Sequence, residues 1–231
     1  MESIDTRLQE VKRRIQAACL AVGRDPAGVA LLAVSKTHGP EAVRAAHAAG
    51  QRAFGENQAQ EALAKIEALA DLRLALCWHL IGPLQSNKTR AVAAAFDWVH
   101  TVDRLKIAER LAAQRPQGMA PLQLTLQVNI SGEASKSGVA PGAAAALALA
   151  IAALPRDRVV LRGLMAIPAP AADLAAQRAP HRALRQLLAE INGFGLRLDT
   201  LSMGMSEDLE AAVAEGATTV RVGSAIFGSR D

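Results

Sequence analysis

The chain has 231 residues, 51% of them hydrophobic and 21% charged, with 26 Lys+Arg against 22 Asp+Glu for a formal charge of +4. That composition excludes a disordered or fibrous chain. Two cysteines, Cys19 and Cys77, are too few for a disulfide scaffold and lack metal-ligand spacing. With only 3% aromatics and a mild positive balance, the chain also lacks the basic and aromatic signature of nucleic-acid binders.

In chain order, the first nine residues carry no basic region leading into an apolar one, so no signal peptide is expected. Leu8, Val11, Ile15, Ala18, Cys19 and Val22 follow helical spacing, and Gly23 is a suitable stop. Residues 1–23 are therefore expected to form a helix packed outside the main fold. From residue 29 onward short β-like runs alternate with helical ones. Strands are expected at 29–35, 52–55, 77–81, 98–102, 122–129, 159–167, 200–203 and 218–222. Helices are expected at 40–49, 58–69, 86–95, 105–114, 142–154, 179–191 and 206–215. The longest apolar run, 143–154, is shorter than the roughly 20 residues that span a bilayer, and Pro155 closes it. No membrane partner is expected, and a reducing, cytoplasmic setting is the default.

Strands alternating with helices need a parallel sheet, because parallel neighbours require long crossovers. Eight such units predict an α/β fold, a single (β/α)8 TIM barrel spanning residues 1–231. A doubly wound open sheet is the structural rival, but no Gly-rich turn follows the first strand.

Function in a barrel gathers where the strands exit. Lys36 closes the first strand, and alternation puts Leu32, Val34 and Lys36 on one face. Loss of solvation at a rim favours the neutral amine, which attacks aldehydes; a lysine snorkelling to water is the alternative. In the last strand Arg221 and Gly223 share one face and Val220 and Val222 the other. An arginine on an otherwise apolar strand needs an anionic or acceptor partner. Gly223 and Ser224 offer backbone N–H groups ahead of a short helix, in the region where barrels bind phosphate. Ser206 is expected as a phosphate ligand or as the cap of the helix after strand seven, and Gly223 as a cradle or a tight turn.

His79 reads as a satisfied core histidine, with no second histidine at metal spacing and hence no metal. Asp97, Asp103, Glu56 and Glu61 have no spacing that supports paired carboxylate chemistry. Ser135-Lys136-Ser137-Gly138 reads as a solvated loop after strand five.

The strings Ala33-Val34-Ser35-Lys36-Thr37, Phe54-Gly55-Glu56-Asn57 and Trp78-His79-Leu80-Ile81-Gly82 resemble the pyridoxal phosphate homeostasis protein family. So do Leu84-Gln85-Ser86-Asn87-Lys88, Gly163-Leu164-Met165, Ser202-Met203-Gly204-Met205-Ser206 and Arg221-Val222-Gly223-Ser224. The resemblance runs from the first strand to the C-terminus. It implies a fold-type III barrel, like the N-terminal half of alanine racemase, that holds pyridoxal 5'-phosphate (PLP) and takes part in vitamin B6 homeostasis.

Carried over position by position, the resemblance makes Lys36 the Schiff-base lysine and places Asn57 near the cofactor's phenolic oxygen. Ser206, Gly223 and Ser224 become the phosphate cradle, and Arg221 the partner of the pyridine nitrogen. PLP-dependent apoenzymes are the implied recipients; separately, a covered barrel with no extra domain leans towards a monomer. His38 stands where many members have a lysine, which speaks against a second PLP-handling site beside Lys36. No catalytic residue is assigned: an arginine keeps its proton and leaves the pyridine nitrogen unprotonated. The alanine racemase route also uses a tyrosine from a second domain, whereas this chain has no tyrosine and is read as ending after the barrel at Asp231. A PLP-dependent racemase or related proton-transfer enzyme is the alternative, with water or His79 as the second base.

Overall fold

The structure, a computed structural model, describes residues 2–133 and 136–228; Ser135 and Asp231 lie outside the described residues. Eight parallel strands close into a barrel in chain order: β1 (Ala30–Val34), β2 (Ala53–Glu56), β3 (Cys77–Leu80), β4 (Trp98–Val102), β5 (Leu122–Gln127), β6 (Val159–Met165), β7 (Thr200–Ser202) and β8 (Thr219–Val222). β8 pairs back onto β1, with Leu31 opposite Val220 and Leu32 opposite Arg221, which rules out the open sheet. Around the barrel lie α1 (Ile4–Ala21), α2 (Pro40–Ala48), α3 (Ala59–Ala68), α4 (Thr89–Ala95), α5 (Leu105–Gln114), α6 (Pro141–Ala152), α7 (Leu174–Gly193), α8 (Leu209–Ala214) and α9 (Ser224–Phe227). No helix among the described residues is long and apolar enough to cross a membrane.

α1 is capped by Ser3, whose hydroxyl accepts the Thr6 N–H at 3.1 Å. Its buried stripe of Leu8, Val11, Ile15, Ala18 and Cys19 packs toward α2, α8 and α9, outside the barrel.

Three helices start three or more residues from where expected: Ser86–Lys88 forms a 3-10 turn, so α4 begins at Thr89 instead of residue 86, and the other two shifts each come from an aspartate. α7 begins five residues early, since Asp173 caps it by accepting the Ala176 N–H at 2.8 Å; Pro180 is taken inside. α8 begins at Leu209 instead of residue 206, because Asp208 accepts the Met205 N–H at 2.7 Å and folds 205–208 into a turn. Ser206 therefore sits in that turn and does not cap the helix.

The strands divide their side chains between two environments. Outward residues such as Phe54, Trp78, Val99, Leu124, Leu164, Val220 and Val222 join the main hydrophobic core with the helices. Inward residues of the first three strands form a small separate cluster of Leu32, Val34 and Ile81 with Ala53 against it. Polar residues share the interior with that cluster: His79, His100, Thr125, Ser202 and Arg221 are all buried, and Arg221 is the register partner of Leu32. β1 leads to Lys36 and β8 carries Arg221, so the strand exits bring an amine and a guanidinium to one opening.

Candidate functional site

That opening is a cleft of about 420 Å³ lined by Val34, Lys36, Asn57, Ile81, Ile167, Met205, Ser206, Glu207, Arg221, Gly223 and Ser224. All six residues expected at the site are among them. Lys36 is half-buried and has no hydrogen-bond or ion-pair partner among the described residues.

The chain just beyond Lys36 is held by a network that sequence reasoning missed. Thr37 has φ of +67°, which is rare for a β-branched residue. Its N–H donates to Glu61 Oε1 at 2.8 Å, and the Lys65 ammonium donates to the Ser35 carbonyl at 2.8 Å. Lys65 also donates to Glu56 Oε1 at 2.5 Å, and the Ser35 hydroxyl reaches the same oxygen at 2.6 Å. Glu56 and Lys65 are both buried, at 0% and 5% exposure. Burial raises the Glu56 carboxyl above its ordinary range, and the Lys65 and Ser35 hydrogen bonds oppose that rise. The signal for Lys65 was present: Ala62, Lys65, Ile66 and Leu69 share three- and four-residue spacing, so this lysine falls on the buried stripe of α3. Beyond Thr37, the His38 ring stacks on Phe227 with centroids 5.2 Å apart, joining this loop to α9.

Across the cleft, the Ser206 and Ser224 hydroxyls and the Ser224 and Ala225 amides have no protein partner among the described residues. Gly223 has φ of −118°, so a left-handed turn does not explain it. A Cβ there would lie 3.1 Å from the Val34 carbonyl oxygen, a tight approach that fits only if the β1 backbone gives by a few tenths of an ångström. Arg14 of α1 fixes the far side of the Ser206 turn by donating to the Ser206 carbonyl at 3.0 Å.

Arg221 finds acceptors, not an anion. It donates to the Ser202 carbonyl at 2.5 Å, the Ser202 hydroxyl at 2.8 Å and the Ala166 carbonyl at 2.8 Å. Burial lowers it to about 10, with the Asp208 charge opposing, so it stays charged at neutral pH.

Asn57 lies where this cleft meets a smaller one of about 220 Å³, which also takes in Thr101, Gln127, Asn129, Lys136 and Ser137. Lys136 and Ser137, expected in a solvated loop, therefore line a recess beside the main cleft. Gly82 allows the β3 exit to lie directly on Asn57, since a Cβ would fall 2.0 Å from the Asn57 carbonyl oxygen.

His79 is a core histidine, buried below the cleft with both nitrogens engaged. Its Nδ1 is 2.9 Å from His100 Nε2, and its Nε2 is 3.3 Å from Cys77 Sγ. It does not line the cleft, so it is not placed to act as a second base there. His100 Nδ1 in turn is 2.8 Å from the Ser202 hydroxyl. Burial lowers His79 to about 3 and lowers His100 as well, the latter helped by His79 and Arg221. Burial also raises the Cys77 thiol to about 12, with the Asp97 charge adding and Arg73 opposing. Sequence reasoning missed His100 and Ser202. Among the described residues no cluster of three His, Cys, Asp or Glu side chains forms a metal site.

Comparison with known proteins gives this geometry a family. Residues 6–231 match the family described as alanine racemase, N-terminal domain. The pyridoxal phosphate homeostasis protein of Pseudomonas aeruginosa is 61% identical over 231 residues, covering 100% of this chain and 97% of the relative. The protein of that name from Escherichia coli K12 is 50% identical over 235 residues, covering 100% and 98%. PipY of Synechococcus elongatus, solved with PLP bound, superposes with a TM-score of 0.84 at 40% identity, covering 97% of this chain and 100% of PipY. Alanine racemase of Corynebacterium glutamicum, at 18% identity and a TM-score of 0.68, shares the barrel fold. The amine at the first strand exit, the open donor set at the last two and full-length identity of up to 61% with proteins of one name all point one way: the chain belongs to the pyridoxal phosphate homeostasis protein family.

Proposed function

We propose that this protein binds PLP in the cleft at the strand exits, holds it as a Schiff base on Lys36, and serves PLP homeostasis in the cell without strong catalysis of its own. The observation that carries the proposal is an amine facing, across one cleft, a set of hydroxyl and amide donors, all without a partner among the described residues. PipY, a relative that covers 97% of this chain, was solved with PLP bound. When bound, PLP supplies an aldehyde carbon that condenses with a primary amine, releasing water, and a pyridine ring that can withdraw electrons. Lys36 provides the amine. Ser206, Gly223 and Ser224 offer the phosphate hydroxyl and N–H donors, uncrowded by any side chain at position 223. Asn57 is assigned to the phenolic oxygen. Arg221 would face the pyridine nitrogen as a cation that keeps its proton, lending that nitrogen no proton and limiting electron withdrawal. Recipient apoenzymes, a cytoplasmic setting and a monomeric state belong to the same proposal.

The test is the visible absorption band of protein loaded with PLP. Wild type should show it and Lys36→Ala should not; an unchanged band in the variant refutes the assignment. The barrel shared with alanine racemase keeps a second reading in play, a PLP-dependent proton-transfer enzyme. This chain offers no tyrosine, and His79 lies outside the cleft. Incubation of loaded protein with L-amino acids in heavy water decides between the two: rapid α-deuteration favours the enzyme.

A further inference from the structure

The barrel interior holds a row of polar groups that the binding proposal does not use: the half-buried Cys77 and the buried His79, His100 and Ser202, ending on Arg221. We infer that His100, fixed by His79, positions Arg221 through the Ser202 hydroxyl, along a hydrogen-bond chain whose donors all point away from the arginine. The inference rests on the PLP reading only where Arg221 meets the cofactor; the direction of the chain follows from this protein's own atoms.

A guanidinium can only donate, so the Ser202 hydroxyl oxygen accepts from Arg221 at 2.8 Å. The hydroxyl has one hydrogen to place, and His100 Nδ1 lies 2.8 Å away. Both imidazoles are neutral at pH 7, because burial lowers them far below that. Each ring then has one donor nitrogen and one acceptor nitrogen. If His100 Nδ1 accepts from Ser202, its proton sits on Nε2 and donates to His79 Nδ1 at 2.9 Å. His79 then carries its proton on Nε2, directed at Cys77 Sγ at 3.3 Å.

The opposite direction has the thiol donate to His79, His79 to His100, and His100 to Ser202. That would leave the Ser202 hydroxyl hydrogen with no acceptor among the described residues, inside a buried core where an unmade bond is costly. In the preferred direction the group left over is a thiol S–H, a weak donor that loses little.

The row is also braced at its far end. Trp98 stacks on His79 at 5.4 Å with planes 8° apart, and Arg162 lies 5.5 Å over Trp98. The Thr125 hydroxyl holds the His100 carbonyl at 3.0 Å. A braced, one-way chain keeps a Ser202 lone pair turned to Arg221. With the Ser202 and Ala166 carbonyls, it fixes a guanidinium that has no carboxylate bonded to it among the described residues.

Two measurements test this. Long-range nitrogen–proton NMR of the ligand-free protein at pH 7 should show His79 and His100 both protonated on Nε2; a proton on His100 Nδ1 overturns the inference. Release of PLP into an excess of a PLP-free apoenzyme should be at least about fivefold faster in His100→Leu than in wild type. His100→Asn, whose amide oxygen reaches toward the place of Nδ1, should recover most of the slow release. Equal rates in wild type and His100→Leu, or no recovery by His100→Asn, overturn the inference. If His100→Leu does not fold, Ser202→Ala breaks the same link with little change of volume, and wild-type release from it overturns the inference equally. Wild type without a visible band would refute the binding proposal instead, while the NMR result would still decide the direction of the chain.

Discussion

Lys65→Met tests the support behind the binding lysine. The substitution keeps the length of the side chain and removes the ammonium, leaving Glu56 fully buried with the Ser35 hydroxyl on one oxygen and no partner for Oε2 among the described residues. Breaking a buried ion pair by removing one partner costs about 3–5 kcal/mol. For a chain of this length that is a fall in Tm of roughly 6–20 °C, at about 2–4 °C per kcal/mol. The pH dependence has a definite sign. Burial already raises Glu56, and the Lys65 hydrogen bond and charge oppose that rise, so in the variant the folded-state pKa climbs further above the unfolded value of about 4.3. A carboxyl that binds its proton more tightly when folded is penalised while ionised, and the penalty shrinks as pH falls through the folded pKa toward the unfolded one. Urea unfolding of variant and wild type, followed by circular dichroism from pH 8 down to pH 5, should therefore give a difference that is largest at pH 8 and narrows with acid. Glu56→Leu combined with Lys65→Met should cost less than Lys65→Met alone. A loss under about 1 kcal/mol at pH 7.5, or one that grows as pH falls, would refute the reasoning.

Gly82→Ala would place a Cβ 2.0 Å from the Asn57 carbonyl oxygen; denaturant titration should show a loss of about 1–3 kcal/mol, with a weaker visible band at limiting PLP because Asn57 is displaced. Thr37→Gly removes a β-branched residue from φ of +67° and should raise Tm by about 2–4 °C in a thermal melt. Burial would raise Asp208, but the His181 hydrogen bond, the Met205 N–H and the His181 and Arg221 charges lower it overall. Its contribution is thus present above about pH 3.9 and lost as acid protonates it below that. Asp208→Asn should cost about 1–2 kcal/mol at pH 7, a gap that closes toward pH 3 in parallel melts.

The barrel could be read from the sequence because its signals are local. Each strand is a short apolar run, and several helices carry their own stop. Lys36 and Arg221 could be read for a related reason: a charged residue on the inward face of an aliphatic strand stands out through alternation alone. The limits of α7 and α8 could not, because each depends on where one aspartate side chain turns, toward Ala176 N–H or Met205 N–H. The networks around the site were hidden by distance along the chain. Lys65 meets Ser35 across 30 residues, and His100 meets Ser202 across 102. Some of this was still within reach. His79 and His100 both point inward from adjacent strands, with Trp98 opposite His79 in the register and His100 one inward step beyond. Counting the polar residues at each inward level across all eight strands would have exposed the row that leads to Arg221.

The covalent role of Lys36 is tested most directly by reducing the PLP-loaded protein with borohydride and mapping its peptides by mass spectrometry. The account predicts a pyridoxyl group on the peptide that carries Lys36 and on no other. Label on Lys136 or another lysine in place of Lys36, or no label after loading, would contradict it.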